Sequence, residues 1–379
     1  MYFQLSEEHL MIQQAARDFA QTELKPGVIE RDDQQKFPAE QVKKLGELGF
    51  LGMMVDPKYN GSGMDAISYV LVMEELSKID ASASVVVSVN NSLVCYGLET
   101  YGSEEQKEKY LKPLASGEKI GAFCLSEPEA GSDATSQHTT AVDMGDHYLL
   151  NGTKNWITNG SSASTYLVIA QTHPEKRHHG INALIVERGM EGFSIGPKEN
   201  KLGIRGSDTH SLMFTDVKVP KENRIGEDGF GFTFAMKTLD GGRIGIAAQA
   251  LGIASGAFEL ATQYAKERKT FGKPIANHQA IAFKLADMAT EIEAARLMVF
   301  KAAWLKDQGL PYAQASAMAK LFASDIAMRI TVEAVQIHGG YGFVKEYHVE
   351  RLMRDAKITQ IYEGTSEIQK VVISREILR

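Results

Sequence analysis

The sequence predicts an α+β fold in which a β domain lies between two helical domains. Three observations predict it. Apolar residues recur at helical spacing through the first third of the chain, short β-branched runs separated by turn residues follow between Gly121 and about Val219, and long helical patterns return after Gly226. The 379 residues are enough for two or three structural units. The domain bounds that these changes indicate are residues 1–119, 120–227 and 228–379.

The first domain is predicted to be helical. Within Ser6–Lys25 the apolar residues fall mostly three and four positions apart, Ser6 with the acidic residues after it is typical of a capped helix start, and Pro26-Gly27 ends the helix. The run Asn60-Gly61-Ser62-Gly63 predicts a turn. The other predicted helices are Pro38–Leu48, Ile67–Ile79, Ala83–Tyr101 and Ser103–Ser116.

The second domain is predicted to be an antiparallel β domain. The dipeptides Asn151-Gly152 and Asn159-Gly160 separate β-branched runs at the spacing of hairpins. No long helix separates the runs, which argues against a βαβ unit. The predicted strands are Tyr148–Leu150, Lys154–Thr158, Thr165–Ala170, Ala183–Val186, His210–Phe214 and Val217–Val219.

The third domain is predicted to be a bundle of long helices, because four segments have the length and the apolar stripe of bundle helices. No internal repeat is visible in the chain. The four segments are Gly231–Arg268, His278–Gln308, Tyr312–His338 and Thr365–Leu378.

Composition and charge narrow the classes of function. With 41 basic and 48 acidic residues the formal net charge is −7, which disfavours binding to nucleic acid through phosphate contacts. Two cysteines cannot build a disulfide framework, so a reducing compartment is expected. The first helical segment carries charges that a secretory leader lacks, and the charge-free run Ala81–Leu98 contains serines and asparagines that a membrane span lacks. We therefore expect a cytoplasmic protein without membrane insertion, or a mitochondrial matrix protein if a eukaryotic chain has been processed.

Common catalytic signatures are missing from the sequence. The glycine pairs lack the third glycine of a dinucleotide fingerprint, and no glycine-rich run reaches Gly-Lys-Ser/Thr. No histidine begins a zincin pattern and no Cys-x-x-Cys occurs, so no metal site is predicted. Metal hydrolysis and Rossmann-type hydride transfer are therefore disfavoured.

Two segments near the start of the β domain could contact a ligand. The run Phe123–Asp133 places Ser126, Ser132 and free N–H groups at the change from helix to strand. They suit an anionic or carbonyl-rich ligand, but a plain polar loop between domains fits the same residues. In Trp156-Ile157-Thr158 the indole could flank a flat ring, or it could be a core side chain.

Two later segments are rich in cations or glycines. The segment Arg268–Ile275 carries three cations after a long helix. Arg268 could bind a pyrophosphate, or it could complement the helix dipole. The next helix begins at His278-Gln279, where free N–H groups suit phosphate. In Gln336–Phe343 a helix C-cap explains Gly339, but three glycines within four positions indicate close approach to a ligand.

Glu363 follows three apolar positions and precedes a glycine. A carboxylate in apolar surroundings has a raised pKa, which is the profile of a general base, although an exposed loop glutamate fits the same spacing. Thr365 is predicted to cap the last helix, with Glu367 in its first turn.

These segments, in this order, resemble the acyl-CoA dehydrogenase family, and the resemblance covers essentially the whole chain. It rests on Ser-Glu-Pro…Gly-Ser-Asp, Trp-Ile-Thr, Arg-Lys-Thr-Phe-Gly, Gln-Ile-His-Gly-Gly and Tyr-Glu-Gly-Thr. The short-chain (butyryl-CoA) branch is the most similar. The family fold is an N-terminal helical domain, a middle β domain and a C-terminal four-helix bundle, which agrees with the predicted domains.

The resemblance implies FAD between the β domain and the bundle, and Glu363 as the base that removes the α proton while the flavin takes the β hydride, giving a trans-2-enoyl thioester. It also implies a homotetramer, built as a dimer of dimers, and electron-transfer flavoprotein as the electron acceptor. The implied FAD residues are Phe123, Leu125, Ser126, Gly131, Ser132, Trp156, Ile157, Thr158, Thr365 and Glu367, joined by Arg268, Thr270, Phe271, Gln279, Gln336, Gly339 and Gly340 of a neighbouring subunit. The implied acyl-CoA residues are Ser132, Asp240, Arg243, Gly364 and Arg375.

Two departures from the family pattern bear on the branch. Isovaleryl- and long-chain-type members carry their base on a helix, just before the arginine that matches Arg243, and Gly242 stands there in this chain. This argues against those branches and leaves Glu363 as the candidate base. Glu129 stands where the family often has glycine. The remaining alternatives are a branched-chain, medium-chain or glutaryl-type dehydrogenase, an acyl-CoA oxidase, and a non-enzymatic relative bound to DNA, which the net charge of −7 disfavours.

Overall fold

The computed structural model describes residues 4–379. Its N-terminal region is built of helices. π-Helical turns at Ala20–Leu24, Val89–Cys95 and Lys107–Leu111 extend the first helix and join two later helix pairs into continuous helices. The predicted helices are therefore present, with local π interruptions that periodicity does not show. The helices are α1 (Glu7–Phe19), α2 (Val28–Asp33), α3 (Ala39–Glu47), α4 (Ala66–Ser77), α5 (Ala81–Ser88), α6 (Tyr96–Tyr101), α7 (Glu104–Gln106) and α8 (Lys112–Ala115).

The middle region is one eight-stranded sheet in the order β6-β7-β3-β2-β4-β5-β8, with β1 beside β4. Most neighbours are antiparallel, but β1 and β2 both run parallel to β4. The domain is therefore not purely antiparallel, because long connections bring β1 and β2 to β4. The strands are β1 (Gly121–Cys124), β2 (Thr140–Asp143), β3 (His147–Thr158), β4 (Thr165–Gln171), β5 (Ile181–Glu187), β6 (Phe193–Lys198), β7 (Thr209–Pro220) and β8 (Arg224–Ile225).

The predicted hairpin at Asn151-Gly152 is wrong. Strand β3 runs through both residues, and its register against β7 shifts between Leu150 and Gly152. Gly152 has a φ of +141°, and a Cβ there would lie 2.6 Å from Thr139 Oγ1. The glycine therefore serves a β-bulge, which requires the same conformational freedom as a turn.

The second predicted hairpin is also wrong in its pairing. Asn159 does turn the chain, with a φ of +63°, but β3 pairs with β2 and β7 and not with β4. The run 156–158 therefore ends a strand in the middle of the sheet. The two predicted strands around residues 210–219 are the single strand β7, and β6 is a strand that the sequence pattern does not predict.

The C-terminal region is helical, with a short hairpin of β9 (Lys269–Thr270) and β10 (Lys273–Pro274) after its first helix. Four of its helices match the predicted segments. The helix α12 is additional, so among the described residues this region holds five α-helices. The helices are α9 (Gly231–Glu267), α10 (Gln279–Asp307), α11 (Ala313–His338), α12 (His348–Thr359) and α13 (Ser366–Ile377).

Helix α9 is the central element of the molecule, since it packs against α4 of the first region, against β5 of the sheet and against α10, α11 and α12. Glycines allow the close packing with α4: a Cβ on Gly252 would lie 2.4 Å from the Glu74 carbonyl oxygen. The helices Ala81–Tyr101 and Gly231–Glu267 are long and apolar enough to cross a membrane, but 94% and 83% of their most apolar windows are buried inside the fold. Core packing thus accounts for their apolar character.

Candidate active site

A cavity of about 620 Å³ lies between the sheet and the C-terminal helices. Six parts of the chain contribute to its wall: the π-helical segment Val89–Cys95, the loop after β1, the end of β3, the loop from β6 to β7, the first third of α9, and the turn between α12 and α13 with the adjoining ends of those helices. The fold therefore brings together segments that are far apart in the sequence. The predicted site residues that line the cavity are Phe123, Leu125, Ser126, Gly131, Ser132, Trp156, Ile157, Thr158, Arg243, Glu363, Gly364 and Thr365.

Glu363 lies in the α12–α13 turn with its carboxyl group against α9. Its Oε2 atom is inaccessible to solvent and has no hydrogen-bond partner among the described residues. The atom occupies the space beside Gly242, where a Cβ would lie only 2.2 Å from it. The alternative of an exposed loop glutamate is therefore excluded, and the glycine at position 242 is what makes room for the carboxyl group.

Burial raises the pKa of Glu363 to about 7, although the positive charges of Lys320 and Arg243 oppose the rise. Burial disfavours the charged form of any carboxyl group, and no hydrogen bond to Oε2 compensates for the lost water. A carboxyl group that titrates near neutral pH is suited to take up and release a proton.

Arg243 is buried in the wall of α9, one turn below Asp240. Its guanidinium forms an ion pair with the Asp240 carboxylate, which lies outside the cavity lining. Burial raises the pKa of Asp240, and the Arg243 charge opposes it. The charge of Arg243 is thus largely committed to Asp240.

Trp156 is an exposed residue and not a core side chain, since 55% of its surface is accessible. It lies at the end of β3, where the register against β7 shifts between Lys154 and Ile157, and its φ is +56°. Such a bulge re-aims the side chain. The indole is thus part of the cavity wall rather than of the sheet interior.

The loop that carries Ser126 is held by a buried ion pair. The Lys154 ammonium donates to Glu127 at 2.6 Å and to the Leu125 carbonyl oxygen at 3.1 Å. The Glu127 carboxylate also accepts the N–H groups of His138 at 2.6 Å and Thr139 at 3.1 Å. These buried hydrogen bonds hold the loop in one conformation, so the segment Phe123–Asp133 is more than a plain polar connection between domains.

Glu129, the residue that departs from the family pattern, points away from the cavity. Its side chain is 78% exposed and lies 3.5 Å from the imidazole of His138. It is not part of the cavity lining. The departure thus changes the outer side of the loop.

The remaining predicted residues do not line the cavity. Most of those assigned to a neighbouring subunit lie on one exposed surface, where the Arg268 guanidinium is 5.7 Å from the centre of the Tyr341 ring and Phe271 is 96% exposed. The residues outside the lining are Asp240, Arg268, Thr270, Phe271, Gln279, Gln336, Gly339, Gly340, Glu367 and Arg375.

The loop from β6 to β7 also contributes to the site, since its residues 199–204 line the cavity, and no sequence motif predicted this. Asp355 on α12 holds this loop by accepting the Ile204 N–H at 2.5 Å. A Cβ on Gly203 would lie 2.2 Å from the Arg354 carbonyl oxygen, so the chain requires glycine there. The glycines of Lys-Leu-Gly-Ile-Arg-Gly were the available signal for this contact.

Comparison with known proteins assigns the whole chain to one family. Three family profiles match consecutive parts of it: the acyl-CoA dehydrogenase N-terminal domain over residues 6–118, the middle domain over 122–217 and the C-terminal domain over 229–378. A short-chain specific acyl-CoA dehydrogenase of Clostridium acetobutylicum is 53% identical over 379 residues, which is 100% of each chain.

Two solved structures are similar over the full length of both chains. The butyryl-CoA dehydrogenase of Megasphaera elsdenii is 51% identical with a TM-score of 0.99. A chain in a structure described as the electron transferring flavoprotein of Acidaminococcus fermentans is 52% identical, also with a TM-score of 0.99. The chain therefore belongs to the acyl-CoA dehydrogenase family, whose members are FAD-dependent oxidoreductases.

Proposed function

We propose that this protein oxidises short-chain acyl-CoA thioesters to trans-2-enoyl-CoA, with Glu363 as the base and FAD as the hydride acceptor. The observation that carries the proposal is the Glu363 Oε2 atom, which is buried and unpartnered at the wall of an apolar cavity. The similarity to short-chain specific and butyryl-CoA dehydrogenases supports the substrate class.

The cavity residues fit FAD. Its ring system is flat and aromatic with one polar edge, and the wall offers the indole of Trp156, the apolar side chain of Leu125, and the hydroxyls of Ser126 and Thr158. When bound, FAD supplies a two-electron acceptor for the hydride that leaves the β carbon. We propose that these four residues hold its ring system.

Glu363 removes the α proton of the thioester. A pKa of about 7 leaves a large part of the carboxyl groups ionised at neutral pH, and it makes the carboxylate more basic than an exposed glutamate. The proton then stays on Glu363 until product leaves. Since a proton α to a thioester is only weakly acidic, the enolate oxygen needs stabilisation as well.

The backbone of the α12–α13 turn can supply that stabilisation. No oxygen of the described residues accepts a hydrogen bond from the Glu363 N–H. This donor is free for the thioester oxygen, and Gly364 with a φ of +93° lets the chain pass close to it. Gly364 and Ser132 line the cavity, and we propose that they contact the substrate together with Asp240, Arg243 and Arg375.

The wall of the cavity supports a short acyl chain. Tyr362 lines it, and its hydroxyl donates to Gln249, which is itself fully buried in α9. A side chain that is fixed at both ends cannot withdraw to admit a longer chain. Leu93 and Leu239 also line the cavity.

An anaerobic titration of the FAD-loaded protein with straight-chain acyl-CoA of four to twelve carbons, and with isovaleryl- and glutaryl-CoA, tests this proposal. We expect butyryl-CoA to bleach the visible flavin band fastest. Fastest bleaching by the longer chains would favour a medium-chain enzyme, and fastest bleaching by isovaleryl- or glutaryl-CoA a branched-chain or glutaryl-type enzyme. Rapid peroxide release in air would indicate an oxidase.

We further propose electron-transfer flavoprotein as the acceptor and a homotetramer, a dimer of dimers, as the assembly. The exposed rings of Phe271 and Phe343, at 96% and 86%, lie on the two segments assigned to the FAD site of a neighbouring subunit, and such exposed aromatic rings are typical of interfaces. Light scattering of the FAD-loaded protein measures the mass; a monomer that retains FAD would contradict the shared site. The bacterial and mitochondrial relatives are consistent with a cytoplasmic protein, or a matrix protein in a eukaryote.

A further inference from the structure

Two buried side chains hold the turn that carries Glu363. The Lys320 ammonium, on α11, donates to the Gly364 carbonyl oxygen at 2.6 Å. The Gln369 amide, on α13, donates to the same oxygen at 2.9 Å and to the Glu363 carbonyl oxygen at 3.3 Å. Lys320 and Gln369 both have no exposed surface.

The turn needs this support because its backbone is strained. Glu363 has a φ of +52° and Gly364 a φ of +93°, and a residue with a side chain rarely adopts the left-handed region. Strain of this kind costs about 1–3 kcal/mol and persists only where the surroundings enforce it. Donors on both sides of one carbonyl oxygen provide such enforcement.

A lysine is an unusual choice for this position. Among residues 4–379 no carboxylate lies within 4.0 Å of its ammonium, so the cation is buried with a carbonyl oxygen and without a contact ion pair. Burying a charge without a close partner is unfavourable, and a neutral amide such as that of Gln369 can donate the same hydrogen bond. The positive charge thus calls for an explanation beyond holding the turn.

We propose that Lys320 is a positioning residue for the base: it holds the Glu363–Gly364 turn through the Gly364 carbonyl oxygen, and its ammonium is the uncommitted positive charge that faces the Glu363 carboxyl group. This inference rests on the proposed function, since it deepens the role of Glu363 there.

The charges around Glu363 give this proposal its pH dependence. Arg243 on α9 is the other cation that faces the carboxyl group, and it is paired with Asp240. Tyr69 on α4 and the neighbouring Tyr362 also face Glu363, and burial raises the pKa of both phenols, so they are neutral at pH 7. Lys320 is thus the main charge available to stabilise the ionised base.

The ammonium is present in the working pH range. Burial lowers the pKa of Lys320 to about 8, and the negative charge of Glu363 opposes the decrease more than those of Asp325 and Glu367, while Arg243 adds to it. Lys320 therefore remains mostly protonated at pH 7. Without the Lys320 charge the pKa of Glu363 rises, and a larger fraction of the base is protonated at pH 7.

Two substitutions separate the charge from the hydrogen bond. Lys320→Gln removes the charge and keeps a donor, whereas Lys320→Met removes both. Lys370→Met, at an exposed lysine on α13, is the matched control. The infrared carboxyl band of Glu363 is titrated in the FAD-loaded protein, with Glu363→Gln as the blank, and the bleaching rate with butyryl-CoA is measured from pH 5.5 to 8 in parallel.

We expect both Lys320 variants to move the carboxyl midpoint and the rising limb of the rate profile upward by about one pH unit, as loss of a nearby opposite charge does. Such a shift slows bleaching about fivefold at pH 7. Lys320→Met should also lower the rate at the top of the profile, because its turn is less well held. The control should match the parent.

A carboxyl midpoint that stays in place in Lys320→Gln would overturn the proposal. If Lys320→Met does not fold, Lys320→Gln still decides it. The infrared titration does not depend on turnover, so the two proposals can fail separately. Normal bleaching by Glu363→Gln would contradict the proposed function. An inactive Glu363→Gln together with an unchanged carboxyl midpoint in the Lys320 variants would contradict only the role of Lys320.

Discussion

Two glutamates in this molecule have solvent-inaccessible carboxyl oxygens in opposite environments. Glu127, under the loop after β1, pairs with Lys154 and accepts two backbone N–H groups. Burial acts to raise its pKa, but the Lys154 charge and these hydrogen bonds outweigh it and lower the pKa. Glu363, in the α12–α13 turn, has an unpartnered Oε2 atom, and its pKa rises to about 7.

The contrast separates a carboxylate that holds structure from one that can react. A fully bonded carboxylate has no reason to take up a proton, so Glu127 can only fix the loop that carries Ser126. An unsatisfied buried carboxyl group costs stability, and it is retained where a proton has to be moved. The charge of Lys154 and the hydrogen bonds, more than burial, thus distinguish the two glutamates.

The largest change in stability should come from breaking the buried ion pair between Lys154 and Glu127. Lys154→Met leaves the Glu127 charge buried without its cation and removes the bonds to Leu125 and Gln137. We expect the free energy of unfolding to fall by about 3–5 kcal/mol and FAD to be lost more readily. Denaturant unfolding and the retained FAD measure these effects.

Two variants serve as references for that loss. The double variant Lys154→Met with Glu127→Gln should recover part of the stability, because no uncompensated charge remains. Lys43→Met breaks the exposed pair with Glu47, in which the charged atoms are 3.9 Å apart, and should cost less than about 0.5 kcal/mol. Equal losses of stability from Lys43→Met and Lys154→Met would contradict the claim that the buried pair matters more to the fold than an exposed pair.

Removing the charge of Glu363 should have the opposite effect and raise the free energy of unfolding. Because the pKa of Glu363 is higher in the folded chain than in the unfolded one, its ionisation destabilises the fold progressively as the pH rises from the unfolded pKa to about 7. Glu363→Gln should therefore stabilise the protein by roughly 2–3 kcal/mol at pH 8.

The same variant should change little at pH 4, where the glutamate is mostly protonated in both the folded and the unfolded state. Unfolding curves of parent and variant at the two pH values provide the test. A gain of the same size at both would mean that the charge is not responsible.

A smaller effect should follow from crowding the carboxyl group. Gly242→Ala places a Cβ 2.2 Å from Glu363 Oε2, so the carboxyl group must move. We expect the rate of bleaching by butyryl-CoA to fall about 10- to 100-fold, since misplacing a catalytic group by about 1 Å has effects of this order.

The neighbouring glycine is the control for Gly242. A Cβ on Gly241 finds its nearest atoms, Lys306 Nζ and Tyr312 Oη, at 3.8 Å, which is ordinary contact. Gly241→Ala should therefore keep a rate within about twofold of the parent. Equal losses at the two positions would indicate that helix α9 itself tolerates no side chains here.

The order of the domains and most helices could be predicted from the sequence, because their apolar periodicity is set locally. The start of α1 is an example: Ser6 caps the helix as predicted, and His9 completes a capping box that was not predicted. Pairing in the sheet could not be predicted, since Gly152 has the same conformational freedom in a bulge as in a turn. Helix α12 was missed as an independent element.

For the site, the motifs predicted which residues line the cavity but not how they are held. The buried state of Glu363 depends on Gly242, which is 121 positions away, and on Lys320 and Gln369 in two other helices. Such contacts are set by tertiary packing. The roles assigned to Arg268, Gln336 and their neighbours remain predictions, because they involve a second subunit.

The central claim is that one buried carboxyl group removes the α proton, and anaerobic mixing of FAD-loaded Glu363→Gln with butyryl-CoA tests it most directly. The account predicts a folded yellow protein that binds butyryl-CoA and whose visible flavin band bleaches at least about 10³-fold more slowly than that of the parent. Bleaching at the parental rate would contradict it.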